Sequence, residues 1–125
     1  MKLKKEKIIV TTGSFDPPDS SDIEFLSTIR KKGHWLIVGV HSDMYMINHY
    51  GGFTLNYDNR STIIRNLKCV DEVFSYADED GTACQLLKLV QIVYPNSDIF
   101  YVCLDGVSDT LPEAKIKGIK FLTVK

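Results

Sequence analysis

The chain is predicted to fold as a three-layer α/β/α unit around a five-stranded parallel sheet, on three observations. Short β-branched, apolar runs alternate with stretches whose apolar residues recur at helical spacing. That alternation implies parallel strands joined by right-handed crossovers, with helices on both sheet faces. The first run stops at Gly13, just before a helix start, and 125 residues with 44% hydrophobic content supply one core, so residues 1–125 are read as a single domain.

Residues 7–12 are β-branched enough for a strand buried on both faces. Ser21 and Glu24 have the spacing of a capping box, and Ile23, Leu26 and Ile29 then share a helical face that ends near Gly33. Residues 35–40 make a second strand. Residues 42–59 read as irregular, broken at Gly51-Gly52, with one short helical turn over 44–47. Asp58 is placed to cap a helix whose apolar face is Ile63, Ile64 and Leu67, and residues 70–74 lead into a short strand. A helix is predicted over 82–93 from Leu86, Leu89, Val90 and Val93, ended by Pro95-Asn96. Strands over 98–104 and 119–124 flank a helical turn at 112–117.

Fifteen basic and sixteen acidic residues give a net charge of −1, which argues against a nucleic-acid surface or a polybasic membrane patch. The basic start, residues 1–7, reads as a solvated lead-in; it lacks the length and cleavage residues of a signal peptide, and no segment is long enough to span a bilayer. Cys69, Cys84 and Cys103 are widely spaced and are expected to be buried, reduced thiols. A cytoplasmic protein is expected.

Chemistry is expected at the end of the first strand, where a glycine turn and a helix N-terminus can face an anion. Gly13-Ser14-Phe15-Asp16-Pro17-Pro18-Asp19-Ser20-Ser21-Asp22 resembles the G-[ST]-F-D-x-x-H-x-G-H motif of the cytidylyltransferase-like nucleotidyltransferases, of the glycerol-3-phosphate cytidylyltransferase or heptose-phosphate type. Residues 35–43 are similar to that family's second strand with its S-x-D exit. Residues 59–73, from Asn59-Arg60 to Val70-Asp71-Glu72-Val73, resemble its R-x-x-x-I…V-D-E-V block. The resemblance implies a Rossmann-like nucleotidyltransferase fold, with Gly13, Ser14, Phe15, Asp16, Arg60, Asp105 and Gly106 around a nucleotide.

Three phosphate-holding devices that the resemblance implies are altered. Asp19 and Asp22 stand where the family has its two histidines, which donate hydrogen bonds to the phosphates. A carboxylate about 4 Å from a phosphate oxygen is repelled by roughly 4 kcal/mol at an effective dielectric near 20. No Lys or Arg occurs between Gly33 and Asn59, where the family has a lysine, and no R-x-x-x-I-S-T-T-type segment follows the fifth strand in these 125 residues.

Alternatives remain open at single residues. Asp16, Asp19 and Asp22 could group around Mg²⁺, or Asp19 and Asp22 could cap a helix. Arg60 reads equally as a nucleotide contact or as a salt-bridged helix residue. His41, at a strand's carboxyl end, is a candidate substitute acid. The loop 44–53, with Met44, Tyr45, Met46, Ile47, Tyr50 and Phe53, is apolar enough for a lid or, preferably, for contact with a protein partner or a second copy. Two functions follow. The first is a protein with lost or weakened catalysis that binds a nucleotide-like ligand or acts as an assembly module, with no catalytic residue and no metal. The alternative is an active enzyme that moves CMP from CTP to a phosphorylated alcohol or sugar with Mg²⁺.

Overall fold

The structure, a computed structural model, describes residues 7–102 and 112–123. Their order is β1 (Lys7–Gly13), α1 (Ser20–Arg30), β2 (Trp35–Val40), α2 (Asp43–Tyr50), α3 (Tyr57–Arg65), β3 (Glu72–Phe74), α4 (Cys84–Val93), β4 (Asp98–Val102), a 3-10 turn (Pro112–Lys115) and β5 (Ile119–Leu122). All strand pairs are parallel and the sheet order is β3-β2-β1-β4-β5. The predicted three-layer α/β fold is therefore present, with the order reversing between β1 and β4.

Successive residues of a strand point to opposite faces, so β1 feeds two cores. Ile9 packs with Leu36, Val38, Leu26 and Ile29 of α1 and Ile64 of α3. Ile8 and Val10 pack with Ile37 and with Leu86, Leu87 and Val90 of α4. Each such fully buried side chain contributes about 1.5–3 kcal/mol of transfer free energy, which is why the central strands lack polar alternation.

Local chemistry corrects several expected boundaries. Helix α1 starts at Ser20, and its capping box is formed by Asp19 and Asp22 rather than by Ser21 and Glu24. Asp19 accepts from the Asp22 amide and Asp22 from the Asp19 amide, both at 3.0 Å. Carboxylates accept these amides more strongly than a hydroxyl does. Asn56, not Asp58, caps α3. Thr82 stays outside α4 because its amide and hydroxyl both donate to Asp80.

The stretch expected to be irregular holds α2, two full turns long. Ser42 caps it by accepting from the Tyr45 amide at 3.1 Å, and Gly51, at φ 79°, ends it in the left-handed conformation. Only Met46 of this helix is buried, so no apolar periodicity announced it. On α3 the expected face is corrected too: Ile63 is exposed, while Arg60 and Ser61 are buried beside Ile64. On α1, Ile23 is exposed as well. Cys69 and Cys84 are free thiols, half-buried rather than buried, and Cys103 lies outside the described residues. Among the described residues no helix is long and apolar enough to cross a membrane.

Candidate functional site

Where strand order reverses, the carboxyl ends of adjacent strands diverge and leave a crevice. Here it is a cleft of about 450 Å³, with Thr12, Gly13 and Ser14 from the end of β1 and Tyr101 and Val102 from the end of β4. His41, Tyr45, Tyr50, Tyr76, Gly81, Thr82, Ala83, Pro112 and Glu113 complete the lining. Among the described residues no Lys or Arg is in this lining.

The turn after β1 is tight because of Phe15. A Cβ on Gly13 would stand 2.6 Å from Cζ of that ring, too close for any other residue without displacing it. Phe15 itself is buried at φ 52°, a conformation uncommon for a bulky side chain. Asp16 follows and turns away from the cleft. Its carboxylate accepts from the Thr54 and Leu55 amides at 2.7 and 2.6 Å, tying the chain before α3 to the first loop. Desolvation tends to raise its pKa, but the Leu55 and Thr54 amides and the nearby Arg60 hold it below 3.8.

Asp19 and Asp22 lie at the start of α1 and are not in the cleft lining. The Asp22 amide and the Ser21 hydroxyl lower the Asp19 pKa, as expected for a carboxylate seated on a helix N-terminus. The chain's own acids thus occupy the position where an external anion would sit. Among the described residues no three His, Cys, Asp or Glu side chains are grouped to hold a metal ion.

Arg60 is fully buried, and its guanidinium is spent on the chain. It donates to Leu55 O at 2.8 Å, Ser14 O at 3.0 Å, His41 O at 2.7 Å and Asp43 Oδ1 at 2.8 Å. One side chain thereby joins the loops after β1 and β2 to α2 and α3. It underpins the cleft without lining it.

His41 does line the cleft. Its Nδ1 is 3.0 Å from Ser14 Oγ, and its ring stacks on Tyr45 (4.0 Å between centroids), which in turn stacks on His49 (3.9 Å). Burial is the main cause of a pKa lowered to about 4; Asp78 opposes the shift while Arg60 and His49 add to it. Near neutrality His41 is therefore an uncharged imidazole, a poor substitute for a cationic acid. Burial, assisted by Asp78, pushes the Tyr76 hydroxyl well above its usual range and raises Tyr45 in the same direction, so both remain neutral donors.

Sequence reasoning missed two supporting acids. Buried Asp78 accepts from the Ser42 amide and hydroxyl at 2.8 and 2.7 Å, fixing the residue after His41. Buried Glu113 accepts from the Ala83 amide at 2.7 Å, supplying the cap that α4 lacks locally. Neither has a sequence signal, since the partners are 36 and 30 residues away. Tyr76, Tyr101 and Thr12 were also unannounced. Asp105 and Gly106 lie outside the described residues.

Comparison with known proteins agrees with this architecture. Residues 10–121 match the family model described as cytidylyltransferase-like. The bifunctional protein HldE of Psychromonas ingrahamii is 36% identical over 76 residues, 59% of this chain and 16% of that protein. HldE of Ectopseudomonas mendocina is 35% identical over 88 residues, 69% of this chain and 18% of that protein. The chain thus spans under a fifth of the length of these curated relatives. Among solved structures, the lipopolysaccharide core biosynthesis protein from Thermoplasma volcanium GSS1 superposes with a TM-score of 0.71 at 22% identity, over 94% of this chain and 95% of that one. Plasmodium falciparum nicotinic acid mononucleotide adenylyltransferase does so with a TM-score of 0.56 at 15% identity, over 95% and 75%. At those identities the structures speak for the fold alone. The family model covers most of the chain, and the chain belongs to the cytidylyltransferase-like family.

Proposed function

We propose that this chain is a binding member of its family that does not transfer a nucleotidyl group. The observation that supports the reading best is the charge of the cleft. Transfer needs fixed positive groups aimed at the phosphate oxygens, where charge develops. Among the described residues the lining has no Lys or Arg, Arg60 is fully engaged below it, His41 is neutral, and the helix N-terminus is filled by Asp19 and Asp22. These residues do not fit a magnesium triphosphate, because the carboxylates that would share the metal are committed to backbone amides.

The rival is Mg²⁺-dependent transfer of CMP from CTP to a phosphorylated alcohol or sugar, and the Gly13 turn at the switch point favours it. One assay separates them. The full chain with CTP or ATP, Mg²⁺ and a panel of phosphorylated alcohols and sugars is expected to release no pyrophosphate above the protein-free blank. Its melting temperature is expected to stay unchanged with either triphosphate. A triphosphate at 100 times its Kd would add about 2.7 kcal/mol, which for a domain of this size is roughly 10 °C. Protein-dependent pyrophosphate release establishes the rival.

The second part of the proposal is that the chain works as a homo-oligomer. Met44, Ile47 and Tyr50 share a flank of α2 and are 58, 45 and 66% exposed, with Phe53 beyond them. An apolar stripe of this kind on a short polar-backed helix is commonly a contact surface. Light scattering is expected to give a dimer mass for the wild type and a monomer for Ile47→Asp. A wild-type monomer at about 100 μM, a concentration where contacts of even ~10 μM Kd would form, removes this part.

A further inference from the structure

We propose that the face of β4 and β5 turned away from α4 docks an acidic amphipathic helix of another protein. This surface is separate from the cleft and does not depend on what the cleft binds. One face of the sheet is packed by α1 and α3, whose Leu26, Ile29 and Ile64 meet Ile9, Leu36 and Val38 of β1 and β2. The other carries α4 and the described part of the connection from β4 to β5. There Glu113 accepts from the Ala83 amide, Gln91 donates to Lys117 O, and Ile116 and Ile119 join Leu86, Leu87 and Val90. The first face thus has helices over β1, β2 and β3, and among the described residues no helix follows to lie over β4 and β5.

What remains there is an apolar strip the width of one helix. Side chains alternate along a strand, and the register pairs Phe100 with Lys120 and Val102 with Leu122 on this face. Phe100 and Leu122 border the α1 core and stay half-buried, as does Phe25 of α1. Phe25 lies about 140° around that helix from Arg30, with the buried Leu26 and Ile29 between them. Arg30 reaches Asp71, just ahead of β3, at 2.8 Å, so Phe25 is on the flank nearer β4. An apolar stripe on a further helix would complete the layer that α1 and α3 begin.

Charge defines the occupant. Lys7 Nζ stands 4.7 Å from the centroid of the Phe100 ring and Lys120 Nζ 5.5 Å, so two ammonium groups gather on one aromatic side chain. Asp98 is 3.4 Å from Lys120, but the two side chains are 65 and 57% exposed and hold each other weakly. Lys31 and Lys32 end α1 close by, where the His34 amide donates to Lys7 O. A helix with carboxylates beside its apolar stripe complements this surface. Covering Phe100 also removes water from around both ammonium groups and strengthens their pairing with the acids it brings. Residues 1–6, with three Lys and one Glu, repeat the charge of the surface instead of complementing it. A nucleobase would have to displace both lysines to stack on Phe100.

The test is fluorescence anisotropy of a labelled synthetic peptide titrated with the full chain. The peptide has about 12 residues, ~18 Å as a helix and close to the length of β4, with leucines on one face and glutamates beside them. It is expected to bind about tenfold more tightly than the same peptide with lysines for its glutamates, and than one with serines for its leucines. Lys7→Glu together with Lys120→Glu is expected to reverse the preference between the glutamate and lysine peptides. Lys120→Gln alone, at an exposed side chain, is expected to weaken the glutamate peptide about threefold while urea denaturation matches the wild type. Equal binding of the glutamate and lysine peptides, undiminished binding of the serine peptide, or a preference unchanged in both variants overturns the inference. So does absence of binding at about 1 mM protein. If vesicles of phosphatidylserine and phosphatidylcholine, or an oligothymidylate, bind where the glutamate peptide does not, the surface belongs to a membrane or a nucleic acid and the inference is again overturned.

Discussion

Arg60→Met is expected to destabilise the fold by about 3–5 kcal/mol, a large share of the ~5–15 kcal/mol that such a domain has. The wild-type guanidinium satisfies the carbonyls of Ser14, His41 and Leu55 and pairs with Asp43, all from a fully buried position. Methionine fills much of the volume but leaves those carbonyls without their charged donor. Each unsatisfied buried acceptor costs on the order of 1–3 kcal/mol. Arg60→Lys is expected to recover only part of the loss, since one ammonium cannot reproduce a planar fork aimed at four acceptors. Urea denaturation of the three proteins checks this. Equal stability of Arg60→Met and wild type would show that the guanidinium is not the tie between these loops. Separating that tie from ligand contact also matters for the site: partial rescue by lysine in stability, with unchanged ligand affinity, is the pattern expected of a positioning residue.

The second large effect is acid destabilisation centred on His41. In the unfolded chain this imidazole takes up a proton near 6.5; in the fold, burial delays protonation until about 4. Between those values the unfolded state binds more protons, so stability rises with pH across the window and is lost as pH falls from 6.5 toward 4. A full proton of difference is worth about 1.4 kcal/mol per pH unit, or on the order of 3 kcal/mol over the interval. Asp16 and Asp19, whose folded pKa values lie below 3.8, contribute stability that is present above that value and disappears at still lower pH. The acid limb therefore has two parts. His41→Asn, which can still hydrogen-bond Ser14, is expected to flatten the upper part and leave the lower one. Parallel stability curves for wild type and His41→Asn between pH 4 and 6.5 would place the acid sensitivity elsewhere.

Much of the architecture was legible in the chain itself. Runs such as 35–40 and the apolar spacing over 82–93 carry their own periodicity, and alternation of the two periods leads directly to a parallel sheet. On α4, however, Leu87 is buried with Leu86 and Val90, while Val93, expected on that face, is exposed. The exchange of the family's histidines for Asp19 and Asp22 was equally plain. What those two acids do was not, because a carboxylate at a helix start reads the same whether it meets a metal or an amide. Helix α2 was read only as one short turn over 44–47 for a related reason: only Met46 is buried, so its helicity comes from the Ser42 cap and from Gly51 rather than from an apolar stripe toward the core.

By itself the sequence determined the order of the five strands and of the helices other than α2, the place of the glycine turn and the lack of Lys and Arg between Gly33 and Asn59, because each of these is written in neighbouring residues. Only the tertiary structure decided that Arg60 is a buried strut, that burial lowers the His41 pKa, and that Thr12, Tyr76, Tyr101 and Glu113 line one cleft. The physical reason is that a polar group's role depends on its solvation and on which partners meet it. Both are set by contacts between residues far apart in the chain, such as Ala83 with Glu113 and Ser14 with Arg60.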